Sequence, residues 1–74
     1  MIKIYLSRIL GEKRITQKKL SKLTDIRPGT INAYYHEYVQ RINVADLNKI
    51  CKALNCKLSD LIEYIPDDEG EKNK

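Results

Sequence analysis

Arg27, Pro28, Gly29, Thr30 and Asn32 form the stretch of this chain best suited to recognition chemistry. Arginine presents a rigid fork of donors, the asparagine amide both donates and accepts, and threonine carries a hydroxyl beside a methyl. Such groups bond to and sort a polar partner; they do not break covalent bonds. Residues suited to catalysis are scarce. The chain has a single histidine, His36, no Gly-rich phosphate loop and no serine in a strained elbow. Gly11-Glu12-Lys13 lacks the remaining glycine and the hydroxyl that a phosphate loop needs. Cys51 and Cys56 stand five apart, and a tetrahedral zinc needs two further ligands that His36 alone does not supply. Inert, largely buried thiols are the expectation, with no catalytic residue, no metal and no cofactor.

A recognition stretch works only if neighbouring elements hold it still. The run from Gln17 reads as a short helix opened by Thr16, whose side-chain oxygen takes an orphan amide of the first turn. A second helix starts at Pro28, where a missing N–H costs nothing. Only Thr24, Asp25, Ile26 and Arg27 separate them, so the two helices cross sharply. Ser21 is small at the crossing, and Asp25 tolerates a left-handed turn backbone. Leu20, Ile26, Ile31 and Tyr34 fall where one shared core needs them. This is the pattern of a helix-turn-helix.

The residues Thr16-Gln17, Leu20-Ser21, Asp25-Ile26 and Thr30-Ile31-Asn32 resemble the lambda repressor and Cro class of DNA-binding domain. Val44 to Leu54 and Leu58 to Ile62 are similar to the two closing helices of that class, so the resemblance spans roughly Tyr5 to Tyr64. It implies an all-α fold of five short helices, with the helix-turn-helix in helices two and three. Two departures stand out. The class usually has glycine where Asp25 stands, and often Glu-Asn-Gly where this chain has Tyr35-His36-Glu37.

In a helix-turn-helix the second helix lies in the major groove with its N-terminal residues at base edges. That geometry assigns base-edge duty to Arg27, Pro28, Gly29, Thr30 and Asn32 on a recognition helix of about 28–36, with Ile31 facing the core. Arg27 can fork onto guanine O6 and N7, and the Thr30 methyl suits a thymine methyl. Asn32 either reads adenine or holds a phosphate, and Gly29 offers close backbone approach. Gln17, by the resemblance, clamps a backbone phosphate at a helix N-terminus, where free amides favour an anion. Lys18, His36 and Arg41 are phosphate partners on electrostatic grounds. The alternative for each polar residue is a solvated surface.

The remaining chain supplies the scaffold. Met1 to Tyr5 alternates apolar and polar residues, as a short edge strand or a lead-in to a helix. A first helix is expected from about Tyr5 to Lys13, burying Leu6, Ile9 and Leu10, with Ile15 plugging the corner after it. Leu23 lies off the Leu20 stripe and is expected either to be partly exposed or to contact another element. Tyr38, Val39 and Ile42 are expected to anchor the polar connection Glu37 to Asn43. Asn43 with Asp46 resembles a capping box, Leu47, Ile50, Cys51 and Leu54 form the next helix stripe, and Asn55 is a left-handed terminator. Ser59 is expected to cap a last helix with Leu61, Ile62 and Ile65 inward, stopped by Pro66. Residues 1–66 are thus one domain, and Asp67 to Lys74, charged and without an apolar residue, a disordered tail.

Charge agrees with a polyanionic partner. Residues 1–57 hold twelve Lys/Arg against Glu12, Asp25, Glu37 and Asp46, a net of +8; residues 58–74 have a net of −4. A basic body with an acidic end suits nucleic acid. At 74 residues the chain supports one small core. It contains no membrane-length apolar run and no leader-like start, and two cysteines fit a reduced, cytoplasmic setting. The expected function is sequence-specific binding of double-stranded DNA by a small transcriptional regulator, a repressor of phage or mobile-element type, without enzymatic activity. A homodimer is expected, through the last helix together with Ile2 and Ile4. The rival reading is a protein-binding module, such as an antitoxin that neutralises a partner protein, with the acidic end as its arm.

Overall fold

A computed structural model describes residues 1–66. The element order is β1 (Ile2–Ile4), α1 (Leu6–Lys13), α2 (Gln17–Thr24), α3 (Pro28–Tyr35), α4 (Val44–Leu54), α5 (Leu58–Leu61) and β2 (Ile62–Tyr64). All five expected helices are present. The two strands supplement them as a short antiparallel ribbon, with Ile2 opposite Tyr64, Lys3 opposite Glu63 and Ile4 opposite Ile62. Hydrogen bonds continue past both ends of the ribbon, from the Tyr5 N–H to the Leu61 carbonyl (2.7 Å) and from the Ile65 N–H to the Met1 carbonyl (2.8 Å). The expected disordered tail, residues 67–74, lies outside the described residues.

The core gathers one stripe from each element. Ile4, Leu6, Ile9, Leu10, Leu20, Ile26, Ile31, Tyr34, Ile50, Leu54 and Leu61 are all buried. Helix α2 packs against both α3 and α4. The expected corner residue Ile15 is half-buried against this core. Burying a large aliphatic side chain contributes about 1.5–3 kcal/mol, so Leu6, Ile9, Leu10, Leu20, Ile26 and Ile31, which join α1, α2 and α3, dominate the stability of this half.

Caps set the helix limits. Thr16 Oγ1 accepts from the Lys19 N–H (3.0 Å), and Asn43 Oδ1 from the Asp46 N–H (3.2 Å). The second half of the expected box is replaced: the Asn43 N–H donates to the Tyr34 hydroxyl, which joins α4 to the core of α3. Arg14, Asp25 and Asn55 end α1, α2 and α4 in the left-handed region.

Four expectations require correction. Ser59 does not cap α5; it lies inside the helix, where Lys57 is the N-cap and the Asp60 carboxylate accepts from the Lys57 N–H (3.1 Å). The last helix ends at Leu61, because pairing with β1 draws Ile62–Tyr64 into a strand, and Pro66 terminates nothing helical. Of its three inward residues only Leu61 is buried; Ile62 is half-buried and Ile65 exposed. Ile4 and Leu61 are therefore unavailable to the expected dimer surface. In the α3–α4 connection Val39 packs on the core, whereas Tyr38 (70% exposed) and Ile42 (41%) do not. That connection is fastened by polar bonds instead.

Candidate nucleic-acid interface

The turn between α2 and α3 is built from three side chains. Asp25 takes φ 60° and ψ 25°, a conformation in which aspartate is among the least strained residues after glycine. Thr24, at the last position of α2, is buried; its hydroxyl donates to the Leu20 carbonyl (2.8 Å) and accepts from the Ile26 N–H (3.3 Å). The Ser21 hydroxyl donates to the Ile26 carbonyl. The sharp turn thus leaves no buried side-chain polar atom unpaired among the described residues. Ile26 then inserts into the core and fixes where α3 begins.

Helix α3 is held from one side only. Ile31 and Tyr34 are buried, and at helical spacing the opposite stripe is Gly29, Asn32, Ala33 and His36. Gly29, Asn32 and His36 are exposed, as are Arg27 and Pro28, while Thr30 and Ala33 are half-buried at the flank. Arg27 is the N-cap but offers no side-chain bond, and Pro28 has no N–H. The amides of Gly29 and Thr30 therefore open outward, without an intrahelical acceptor. A Cβ at Gly29 meets nothing within 4 Å, so the fold does not require glycine there.

The N-terminus of α2 carries half-buried Gln17 and exposed Lys18. Arg41 is exposed in the α3–α4 connection. Lys3 and Arg8 are ion-paired, with Glu37 and Glu12, whereas Lys18, Arg27 and Arg41 form no ion pair among the described residues. His36 caps α3 at its far end, its ring stacked on Tyr38 (centroids 5.5 Å apart) and edge-on to Tyr35 (5.0 Å). The sequence-predicted residues thus divide. Gln17 and Lys18 open α2, and Arg27, Pro28, Gly29, Thr30 and Asn32 run from the cap of α3 into its second turn, whereas His36 and Arg41 follow the C-terminal end of α3.

Two contributors escaped sequence reasoning. Ala33 shares the outward stripe, a placement that its i+4 relation to Gly29 already implies. Glu37 is left-handed (φ 62°). Its carboxylate accepts from the Ile4 N–H (3.1 Å) and pairs with the Lys3 ammonium (3.4 Å), tying the segment after α3 to β1. These bonds, the backbone one foremost, hold the Glu37 carboxyl below its ordinary value.

The cysteines lie apart from this surface. Both are half-buried free thiols, and burial together with the neighbouring Cys51 pushes Cys56 up to about 11. Among the described residues no three His, Cys, Asp or Glu side chains are grouped to hold a metal, and no helix is long and apolar enough to cross a membrane. Residues 5–67 match the family model of the Cro/C1-type HTH DNA-binding domain. No curated protein matches the chain.

Proposed function

The chain belongs to the Cro/C1-type helix-turn-helix DNA-binding family, and from that premise we propose that it is a sequence-specific transcriptional regulator, a repressor, that reads the major groove with α3. One observation carries this reading: α3 is fixed by Ile31 and Tyr34 while its opposite stripe and N-terminal amides are left outward and unpaired. Arg27 and Asn32 supply hydrogen bonds to base edges, and Thr30 and Ala33 supply methyl groups for thymine. Gly29 lets the backbone approach the duplex closely. Gln17, Lys18, His36 and Arg41 hold phosphates and so set register without reading sequence. Two copies occupy two half-sites one helical turn apart, which multiplies a modest single-domain affinity.

The test compares binding to a duplex selected from a random pool with binding to its scrambled counterpart, each across a salt series. Lys18→Ala weakens both about equally and lowers the salt slope by about one unit. Thr30→Ala and Asn32→Ala cost roughly 1–3 kcal/mol on the selected duplex and far less on the scrambled one. Parallel losses on both duplexes for every variant sink the reading, and the specific partner is then a protein.

A further inference from the structure

Helices α1 and α4 end in the same way. Arg14 (φ 56°) and Asn55 (φ 52°) turn left-handed, and the residue after each folds back onto its helix. The Ile15 N–H donates to the Leu10 carbonyl (3.0 Å), and the Cys56 N–H to the Cys51 carbonyl (3.1 Å). Inside each of these bonds lies a shorter loop, from the Arg14 N–H to the Gly11 carbonyl and from the Asn55 N–H to the Lys52 carbonyl (both 3.3 Å). This paired pattern brings the side chains of the two outer residues together. At the end of α1 they are Leu10 and Ile15, an ordinary apolar clasp. At the end of α4 the same two places hold free thiols, Cys51 and Cys56. Along an uninterrupted helix, residues five apart are separated by about 7.5 Å of rise alone, too far for a disulfide without backbone movement. The left-handed Asn55 removes that separation.

We propose that Cys51 and Cys56 are a reversible oxidation site, where a hydroperoxide converts the dithiol at the end of α4 into an intramolecular disulfide. Both thiols are half-buried, and they open on separate hollows. Cys51 lines one of about 350 Å³ with Val44, Leu47, Asn48 and Leu58, which has no charged wall and admits a small neutral oxidant. Cys56 lines another, with Tyr5, Lys13, Asp60 and Glu63 among its walls. Burial and then the Cys51 thiol beside it keep the proton on Cys56, so the two sulfurs are within mutual reach and Cys51 reacts first. The Cys51 thiolate attacks an oxygen of hydrogen peroxide; the O–O bond breaks, hydroxide leaves and takes up the proton Cys51 released, and Cys51 becomes a sulfenic acid. The Cys56 sulfur then attacks the Cys51 sulfur, the S–O bond breaks, and the hydroxyl departs as water with the Cys56 proton. Each sulfur gives up one electron, and the peroxide takes both. A dithiol reductant reverses the bond by thiol–disulfide exchange. The product fastens the corner between α4 and α5 across a contact that the reduced fold already makes.

The test treats the full chain, reduced and then freed of reductant, with hydrogen peroxide at neutral pH. Intact mass and peptide mapping are expected to show a monomer lighter by two hydrogens, with Cys51 joined to Cys56, and dithiothreitol restores the starting mass. Sulfinic or sulfonic acid on separate cysteines, a disulfide between two chains, or thiols left untouched where free glutathione is consumed each overturn the site. A second measurement needs no variant and no peroxide. The full chain is equilibrated in mixtures of reduced and oxidised glutathione, once native and once unfolded in urea. Because the turn at Asn55 holds the thiols together, the native chain is expected to carry a ratio of disulfide to dithiol at least about 10-fold above that of the unfolded chain. An equal or lower ratio shows that the fold opposes the bond, and overturns the proposal. Neither measurement involves α3 or DNA, so failure of either leaves the proposed function in place.

Discussion

Helices α2 and α3 are each eight residues long and touch each other, but α2 is secured at both ends and α3 only towards its C-terminus. Thr16 closes the N-terminus of α2, and Ser21, Thr24 and Asp25 lock its C-terminus into the turn. In α3 the N-terminus has no side-chain cap and begins Pro-Gly-Thr, whereas the segment after it is tied to β1 by Glu37. Local propensity also differs. Helix α2 is rich in Gln, Lys and Leu, good helix formers; α3 holds Gly29, Thr30, Ile31, Asn32, Tyr34 and Tyr35, all weaker ones. Most of the stability of α3 therefore comes from tertiary packing. The difference teaches where a small domain concentrates its local instability: on the element whose outward surface serves a ligand.

The largest expected effect breaks α3 at its buried face. Ile31 is fully buried, so Ile31→Ala costs about 2–5 kcal/mol, a large part of the stability of so small a domain. A denaturation curve that barely moves shows that α3 is held by something other than its core face. The next effect removes from α2 what α3 lacks. Thr16→Ala costs about 0.5–2 kcal/mol, read from the same curves. Ser at the α3 cap position, Arg27→Ser, gains up to about 1 kcal/mol while weakening the selected duplex. If both cap variants change stability in the same direction, the contrast between the two N-termini is not energetic.

The sequence made one side of this comparison readable and hid the other. Helix periodicity located Leu20, Ile26, Ile31 and Tyr34, and cap chemistry located Thr16, Asn43 and Asn55, because those signals act within a few residues. The ribbon escaped a firm assignment because its hydrogen bonds join positions some sixty residues apart, beyond any local pattern. The same long-range pairing shortened the last helix and carried Ile65 out to solvent. Tyr38 and Ile42 misled because an apolar side chain in a connection resembles an anchor, although exposed apolar residues are common. On the outward surface, burial of Ile31 fixes the phase of α3, and exposure of Asn32 and half-burial of Thr30 follow from it.

A smaller effect concerns Gly29. Nothing lies within 4 Å of a Cβ built there, and its backbone is not left-handed, so Gly29→Ala stabilises α3 by about 0.5–1 kcal/mol. Under the proposed function the same change weakens binding to the selected duplex, because the added methyl enters the space the backbone needs. Thermal melts and binding isotherms on one preparation measure both. A gain in stability with undiminished binding removes Gly29 from the interface.

The smallest effect tests the fastening at the other end of α3. The Glu37 carboxylate receives the Ile4 N–H and the Lys3 ammonium, and these contacts, the backbone bond foremost, lower its pKa from 4.5 against the opposing push of partial burial. A carboxyl whose pKa is lower folded than unfolded binds more protons in the unfolded chain. Its contribution to stability is therefore present above 4.5 and is lost as pH falls through the folded value. Glu37→Gln keeps an acceptor for the Ile4 N–H but removes both the charge and the titration. Wild type is expected to melt higher than the variant at neutral pH, with the gap closing as pH falls below 4.5 and through the lowered folded value. The gap is small, because an exposed ion pair is screened by water. Added salt should shrink it further at neutral pH by weakening the Lys3 pair, leaving the backbone hydrogen bond in place. Melting curves that run parallel across the whole acid range show that α3 owes nothing to the Glu37 charge, and its C-terminal end is then as weakly held as its N-terminal one.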